Sequence, residues 1–430
     1  MFSHNGKISE KQMRRMLVLS VFASTIFVIP YLSARLFVTS VVTGLLLFFW
    51  LTCIYVTGIY GISRCYEKYR YLNEEEKNTK TGNYDKTSWG FVATAKNNGI
   101  AGRLILLLQI LRQIVRLAFY VVLSIAVLGE AQVPFMPGKG AGNTANLLVI
   151  LPLLLVAVYG ANVTGKEKKN ETEKEENRFR GCLGIEKQGR IYEMIFWVLF
   201  IPFTLVILFG LGEVDYSVFL PHLDMPFGRI LLCGYMLLIF LLPVENYLYL
   251  RPFLRMQEEK KDNETEDGGR RQKYEGRKSF FAILLTVLIM IVLSILLLGI
   301  YGIKGAGEEE MVTISIMRYI RLPFGILERF DVLMVWFFMT GCFVLICETL
   351  YFSGYLLSVL FPKSKRICLL GIVLIMVLVI VAFLPEYPAV LSVFLRYGAV
   401  IDIPLSFVLP LFGLALSKLE RGGMQDEKKQ

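Results

Sequence analysis

The chain has 430 residues, is 55% hydrophobic with a mean hydropathy of +0.55, and carries a formal net charge of +10. A soluble core of this size would not leave so many uninterrupted apolar runs, so a water-soluble globular class is excluded at the outset. The basic excess invites a nucleic-acid reading, but its placement gives it a topological one and excludes a nucleic-acid partner.

A bilayer core takes roughly 20 apolar residues per helix. Stretches that meet or approach that length run over 16–37, 41–62, 104–128, 146–160, 192–211, 230–250, 280–300, 332–357, 367–384 and 391–416; they are called the first to the tenth stretch below. Backbone amides in hydrocarbon must bond within their own segment, so the stretches are predicted as helices. The fold class expected is an all-α integral membrane protein with about ten transmembrane helices and the lipid bilayer as its surroundings. With the N-terminus assigned to the cytoplasm, segments 1–15, 63–103, 163–190, 251–278, 362–366 and 418–430 hold 36 of the 46 Lys and Arg. That asymmetry places both termini in the cytoplasm. The organisation expected is a single transmembrane domain over 1–430, with halves over about 12–211 and 228–417 and a cytoplasmic tail over 418–430. Segments 71–86, 166–180 and 258–277 mix Lys, Glu, Asn and Gly without apolar periodicity and are expected to be mobile cytoplasmic insertions. Segment 312–327, with Thr313, Ser315, Pro323 and Gly325 among apolar residues, is expected to be a partly buried external loop or short helix.

Seven cysteines show no paired spacing, and His4 and His222 are the only histidines, so no metal site and no cofactor are expected. The first apolar run is too long for a cleavable signal and lacks its small-residue pattern. Serine-hydrolase, zinc-protease and P-loop signatures are missing, which points away from an enzyme.

Charges inside a bilayer cost on the order of 3 kcal/mol each, so each one needs a reason. In the third stretch Gln109, Arg112, Gln113 and Arg116 recur at spacings of three and four and share one stripe. Candidate acids are Glu348 in the eighth stretch, Asp402 in the tenth and Glu245 in the sixth, the last read as solvated near the inner end. Two readings stay open: a polar pathway through Gln113, Arg116, Glu348 and Asp402 for a zwitterionic or anionic solute, or a set of structural ion pairs. Asp402 precedes Pro404, which breaks the local ladder, so its carboxylate is expected to cap freed amides. Weak points stand upstream of a proline in the first stretch of each half, at Ala23-Ser24-Thr25 before Pro30 and at Cys233-Gly234-Tyr235 before Pro243. Two inverted halves with matching broken helices would show this pattern, and so would the ordinary frequency of Gly and Pro in membrane helices.

Several runs resemble a known family. Leu327-Glu328-Arg329-Phe330-Asp331 followed by Trp336 resembles a signature of the spore germination permeases, the B subunits of Ger-type nutrient germinant receptors in the amino acid–polyamine–organocation superfamily. Val312-Thr313-Ile314-Ser315-Ile316 resembles the family's Pro-Thr-Ile-Ser-Leu run, with Val312 replacing its proline. Lys7-Ile8-Ser9-Glu10-Lys11-Gln12, Gly184-Ile185-Glu186 with Arg190, Gly234 through Leu241-Leu242-Pro243, and Phe383-Leu384-Pro385 resemble further family motifs in family order. Where the family has a glycine-rich break, this chain has Ala23-Ser24-Thr25, and Met236 replaces a glutamate.

The resemblance implies two inverted five-helix repeats with the first and sixth helices broken. It implies a substrate site at Ala23, Ser24, Thr25 and Ile26 on the first and at Cys233, Gly234 and Tyr235 on the sixth. It also implies a small-molecule nutrient ligand, an amino acid by class, germinant-receptor A and C subunits as partners, and the bacterial cytoplasmic membrane or spore inner membrane as location. The expected function is binding of that nutrient with signalling, transport or both. An ordinary amino-acid secondary transporter and a membrane scaffold are the competing readings.

Overall fold

The computed structural model describes residues 8–78, 91–97, 99–130, 142–162, 182–219, 225–254, 267–309, 311–315, 330–362 and 364–427. Among them the regular structure is helical, apart from one isolated bridge between Ile8 and Leu254. Seven helices are long and apolar enough to cross a membrane, or eight when the bent pair Glu10–Thr25 and Ile29–Phe37 counts as one. The chain is thus an all-α, multi-pass integral membrane protein. The fourth and fifth stretches, outside that count, lie in the helices Gly142–Asn162 and Cys182–Gly210.

The first helix begins with a capping box. Ser9 Oγ accepts from the Gln12 N–H at 3.2 Å, and Gln12 Oε1 accepts from the Ser9 N–H at 3.0 Å. Two donors that a helix start leaves open are met reciprocally. The buried Ile8 just before the cap donates its N–H to Phe253 O at 2.9 Å, tying the start of the first stretch to the end of the sixth. The Ile-Ser-x-x-Gln run therefore has a plain structural purpose.

Parts of two of the segments expected to be mobile insertions are helical. Residues 71–78 continue the helix Val41–Asn78, and 267–277 open the helix Asp267–Tyr301. Once a membrane span has nucleated a helix, each further residue costs little, so a polar run such as 74–77 propagates it. Segments 79–86, 166–180 and 258–266 lie outside the described residues. The tail stays helical to Glu427, and of 312–327 only the short helix Val312–Ser315 is described.

Three of the stretches are irregular, each in a different way. The first is broken at 26–28 and bends by 48°. The sixth is α-helical over Phe227–Leu237, changes to a 3-10 helix over Leu238–Glu245, and resumes at Asn246–Leu250. Runs of 3-10 helix longer than three or four residues are uncommon and mark hinges or strain. The tenth carries a π turn over Gly398–Asp402 between Tyr387–Tyr397 and Ile403–Glu427. The opening expected at Cys233-Gly234-Tyr235 is corrected: these residues belong to a regular α-helix, and the irregular run starts at Leu238. Proline acts on the turn just before it, so Pro243 loosens 239–242 and leaves 233–235 intact. The third and eighth stretches, Gly99–Glu130 and Phe330–Leu360, are uninterrupted helices and form the most extensive pairing among the described elements.

Candidate functional site

A proline lies within or just after each irregular segment, and each of Pro30, Pro243 and Pro404 leaves one carbonyl without a backbone donor. In an α-helix the N–H of residue 30 would bond to Ile26 O, but Pro30 has none. Thr313 of the short helix Val312–Ser315 fills the gap, its hydroxyl donating to Ile26 O at 2.9 Å. In the 3-10 register residue 243 would bond to Phe240 O, and again a proline stands there. Ser24 from the end of the first helix donates to Phe240 O at 2.6 Å. The π turn sets Ile403 N–H on Gly398 O, so the next donor in that register would be residue 404, bonding to Ala399 O. Pro404 cannot, and Tyr235 of the sixth stretch donates its hydroxyl there at 2.9 Å. Three orphaned acceptors in a low-dielectric interior are thus met by three borrowed side-chain donors. The chain of contacts runs from the short helix Val312–Ser315 to the first stretch, from the first to the sixth, and from the sixth to the tenth.

Removing one donor exposes the cost. Tyr235→Phe keeps the ring and loses the hydroxyl, leaving Ala399 O buried and unmet; a loss of about 1–3 kcal/mol is expected. Ser24→Ala should behave alike through Phe240 O. Thermal unfolding of detergent-extracted protein reads both. Thr340→Ala serves as control, because its exposed hydroxyl only back-bonds to Trp336 O within its own helix.

The polar stripe of the third stretch closes onto two carboxylates. Arg112 Nε reaches Asp402 Oδ1 at 2.5 Å, and its terminal nitrogens reach Glu245 Oε1 and Oε2, both at 3.0 Å. Arg116 meets Asp402 Oδ1 and Oδ2 and Glu245 Oε2, each at 2.9 Å. Gln109 joins through Glu245 Oε1 at 2.6 Å, and Arg112 also donates to the Asp402 backbone carbonyl at 3.0 Å. Two guanidinium groups face two carboxylates, so the mutual repulsion along the stripe is cancelled and the cluster is neutral. Glu245 is 0% exposed, which corrects its reading as solvated. The 3-10 run ends at Glu245 and the π turn ends at Asp402, so the cluster pins the ends of both distortions to the uninterrupted third stretch. Asp402 was expected to cap amides; it accepts from arginine instead, because two cations lie within reach and outcompete a neutral N–H.

The expected site residues are brought together only in part. Ala23, Ser24, Thr25 and Ile26 are all buried at the end of the first helix. Thr25 Oγ1 donates back to Val21 O at 2.7 Å, and Ile26 N–H to Phe22 O at 3.1 Å. Cys233, Gly234 and Tyr235 point elsewhere. Cys233 Sγ lies 3.7 Å from Leu36 O, a Cβ on Gly234 would sit 3.3 Å from Leu51 Cδ1, and Tyr235 reaches the tenth stretch. The part of the sixth stretch that faces Ser24 is Phe240. Of the expected polar pathway, Arg116 and Asp402 sit in the neutral cluster. Glu348 meets Ser20 of the first stretch, apart from the cluster. Gln113 is buried with its Nε2 lacking a partner among the described residues.

Thr313 and Phe240 were not singled out as site residues from sequence. Counting back three, four or five residues from a proline identifies an orphaned acceptor; nothing local says which distant hydroxyl will fill it. Of the signature around Glu328, residues 327–329 lie outside the described set, and Trp336 is 72% exposed on the eighth stretch.

A bundle of spanning helices with a broken first stretch and an unwound sixth defines the class: a multi-pass membrane protein. The structure of Mhp1, a nucleobase-cation-symport-1 family transporter, in a closed conformation with bromovinylhydantoin bound, superposes with a TM-score of 0.61 at 13% identity, covering 95% of this chain and 80% of that one. The inward-facing conformation of Mhp1 aligns with a TM-score of 0.47 at 12% identity, covering 92% of this chain and 73% of that one. No curated protein matches the chain. Residues 181–388 match the model of the family described as Spore germination protein. The matched span, just under half of the chain, includes Gly184-Ile185-Glu186, Gly234 through Pro243, Val312 through Asp331 and Phe383-Leu384-Pro385, runs that carried the resemblance to the spore germination permeases.

Proposed function

We propose that the protein binds a small nutrient, an amino acid by class, and signals its arrival, transports it, or does both, in the manner of a spore germination permease. One observation carries the reading: the break at 26–28 and the 3-10 run at 238–245 lie against each other, joined by Ser24. The first amides of the half-helix that starts at Ile29 have no partner within it, and its dipole favours a carboxylate. Carbonyls of the adjoining unwound turns suit an ammonium group. Ala23, Ser24, Thr25 and Ile26 remain the first-stretch part of this site, and the sixth contributes through 238–242 rather than through Cys233, Gly234 and Tyr235. Because these residues are buried, the ligand enters only when the packing around Ser24 opens, so binding shifts an equilibrium between arrangements. In this reading both termini are cytoplasmic, the spore inner membrane is the location, and A and C receptor subunits are the partners.

The test uses the purified full chain in proteoliposomes with labelled amino acids. Saturable binding that Ser24→Ala weakens at least tenfold supports the site; absence of binding to every amino acid sinks it. Uptake without copurifying lipoprotein and large soluble-domain subunits would favour the ordinary secondary transporter.

A further inference from the structure

Glu348 sits midway along Phe330–Leu360, 2% exposed, and is the one acid in the membrane interior that no described cation faces. Its Oε2 meets Ser20 Oγ of the first stretch. The same Ser20 oxygen lies 2.8 Å from Met16 O. A hydroxyl carries a single hydrogen, and a peptide carbonyl can only accept. With Glu348 ionised, Ser20 would face two acceptors with one hydrogen, and one close contact would set lone pair against lone pair. Both contacts are met at once when the carboxyl itself holds a proton. Glu348 then donates to Ser20 Oγ, and Ser20 donates to Met16 O.

The surroundings add one hydrogen-bonding group, the Asn246 amide of the sixth stretch, and no charge. Glu348 Oε1 and, on the sixth stretch, Asn246 Oδ1 lack partners among the described residues. The titratable groups nearest Glu348 are Tyr120 of the third stretch and Tyr192 of the fifth, with Cys347 beside it in the chain. Tyr192 gives its hydroxyl hydrogen to Val344 O at 3.0 Å, and Cys347 Sγ turns to Ala157 O of the fourth stretch. On the ninth stretch Arg366 reaches Tyr351 O, almost a turn further along. Arg112 and Arg116 are balanced by Glu245 and Asp402. An isolated carboxylate at this depth would cost several kcal/mol, so the neutral acid is the stable form.

We propose that Glu348 is a proton-binding site at the contact between the first and eighth stretches. The packed arrangement described here holds the proton, and its release to water, leaving a carboxylate, requires those stretches to part and hydrate the group. Ser20 lies six residues before the break at 26–28, so the proton would be coupled to movement of the inner half of the first stretch. The inference stands on Ser20 and Glu348 and is independent of which nutrient binds.

Infrared difference spectroscopy of the full chain in lipid nanodiscs tests it, in sodium-free and sodium-containing buffer. At neutral pH the carbonyl stretch of a protonated carboxyl should be present, vanish in Glu348→Gln, and move to higher frequency in Ser20→Ala, which keeps the acid but loses its acceptor. Thermal unfolding adds a second readout. A proton held by the packed form and released on opening stabilises the packed form at low pH, and that stabilisation is lost as pH rises, by up to tenfold in the packed-to-open ratio per pH unit. Glu348→Gln should flatten this dependence. A carboxylate band at neutral pH that Glu348→Gln removes, whether sodium-sensitive or not, overturns the proposal, as does a protonated band that survives in Glu348→Gln.

Discussion

Asp402→Asn should destabilise the folded protein by about 3–5 kcal/mol, enough to shift the folded ratio more than a hundredfold. The side chain keeps its shape and some hydrogen bonding, so the loss reports charge. Arg112 and Arg116 would share Glu245 alone, and one positive charge would stay buried without an opposite. Heating of detergent extracts followed by size-exclusion chromatography reads the change. Charge-neutral replacement of one pair separates this account from simple loss of packing. In Arg116→Met combined with Asp402→Leu, Arg112 keeps both bonds to Glu245 at 3.0 Å, and an apolar pair takes the vacated volume. Replacing a buried ion pair by well-packed apolar groups is often neutral, so the double variant should recover most of the loss. An Asp402→Asn protein as stable as wild type would show that the cluster is hydrated and the pairing worth little.

Gly398→Ala is the second large effect, and here the cause is shape. A Cβ on Gly398 would lie 1.7 Å from Ile239 Cδ1, 2.4 Å from Cγ1 and 3.0 Å from Cβ. The terminal methyl could swing aside, but Cγ1 and Cβ belong to a branched stem with few rotamers. The backbones must therefore separate, at a cost of about 1–3 kcal/mol for overpacking. The position adds to this: Gly398 opens the π turn and Ile239 lies in the 3-10 run, so parting them also strains the bond from Tyr235 to Ala399 O. Ile239→Ala removes the obstacle at its own cost in packing. The double variant should lose less than the two singles together, by about 0.5–3 kcal/mol, as groups in direct contact do. Strict additivity would mean that the two segments do not bear on each other.

Gly234 teaches the reverse lesson. It is the glycine that sequence reading placed at an opened turn, yet a Cβ there meets only the flexible end of Leu51 at 3.3 Å, with the Phe48 backbone at 3.7 Å. Its smallness serves contact with the second stretch, so a bulky residue at 234 would test helix packing and leave the site question open. Glycine upstream of a proline reads as a weak point in a linear chain. Whether it is one depends on which neighbour presses against it.

Sequence alone determined the class of this protein, because hydrocarbon imposes its rule on each segment separately: twenty apolar residues must form a helix whatever lies beside them. It located the loosened turn of the first stretch to within about a turn but set that of the sixth too early, and it placed Arg112 and Arg116 on one face, since helical spacing is local. Only the tertiary structure decided what each orphaned group meets. Thr313 with Ile26 O, Ser24 with Phe240 O and Tyr235 with Ala399 O are pairs separated by 287, 216 and 164 residues. The same holds for Glu245, taken for a solvated acid until the third and tenth stretches closed over it, and for Glu348, left with Ser20 because the arginines were already matched. Such partnerships depend on how rods pack side by side, and packing is a property of surfaces meeting rather than of any one segment's composition.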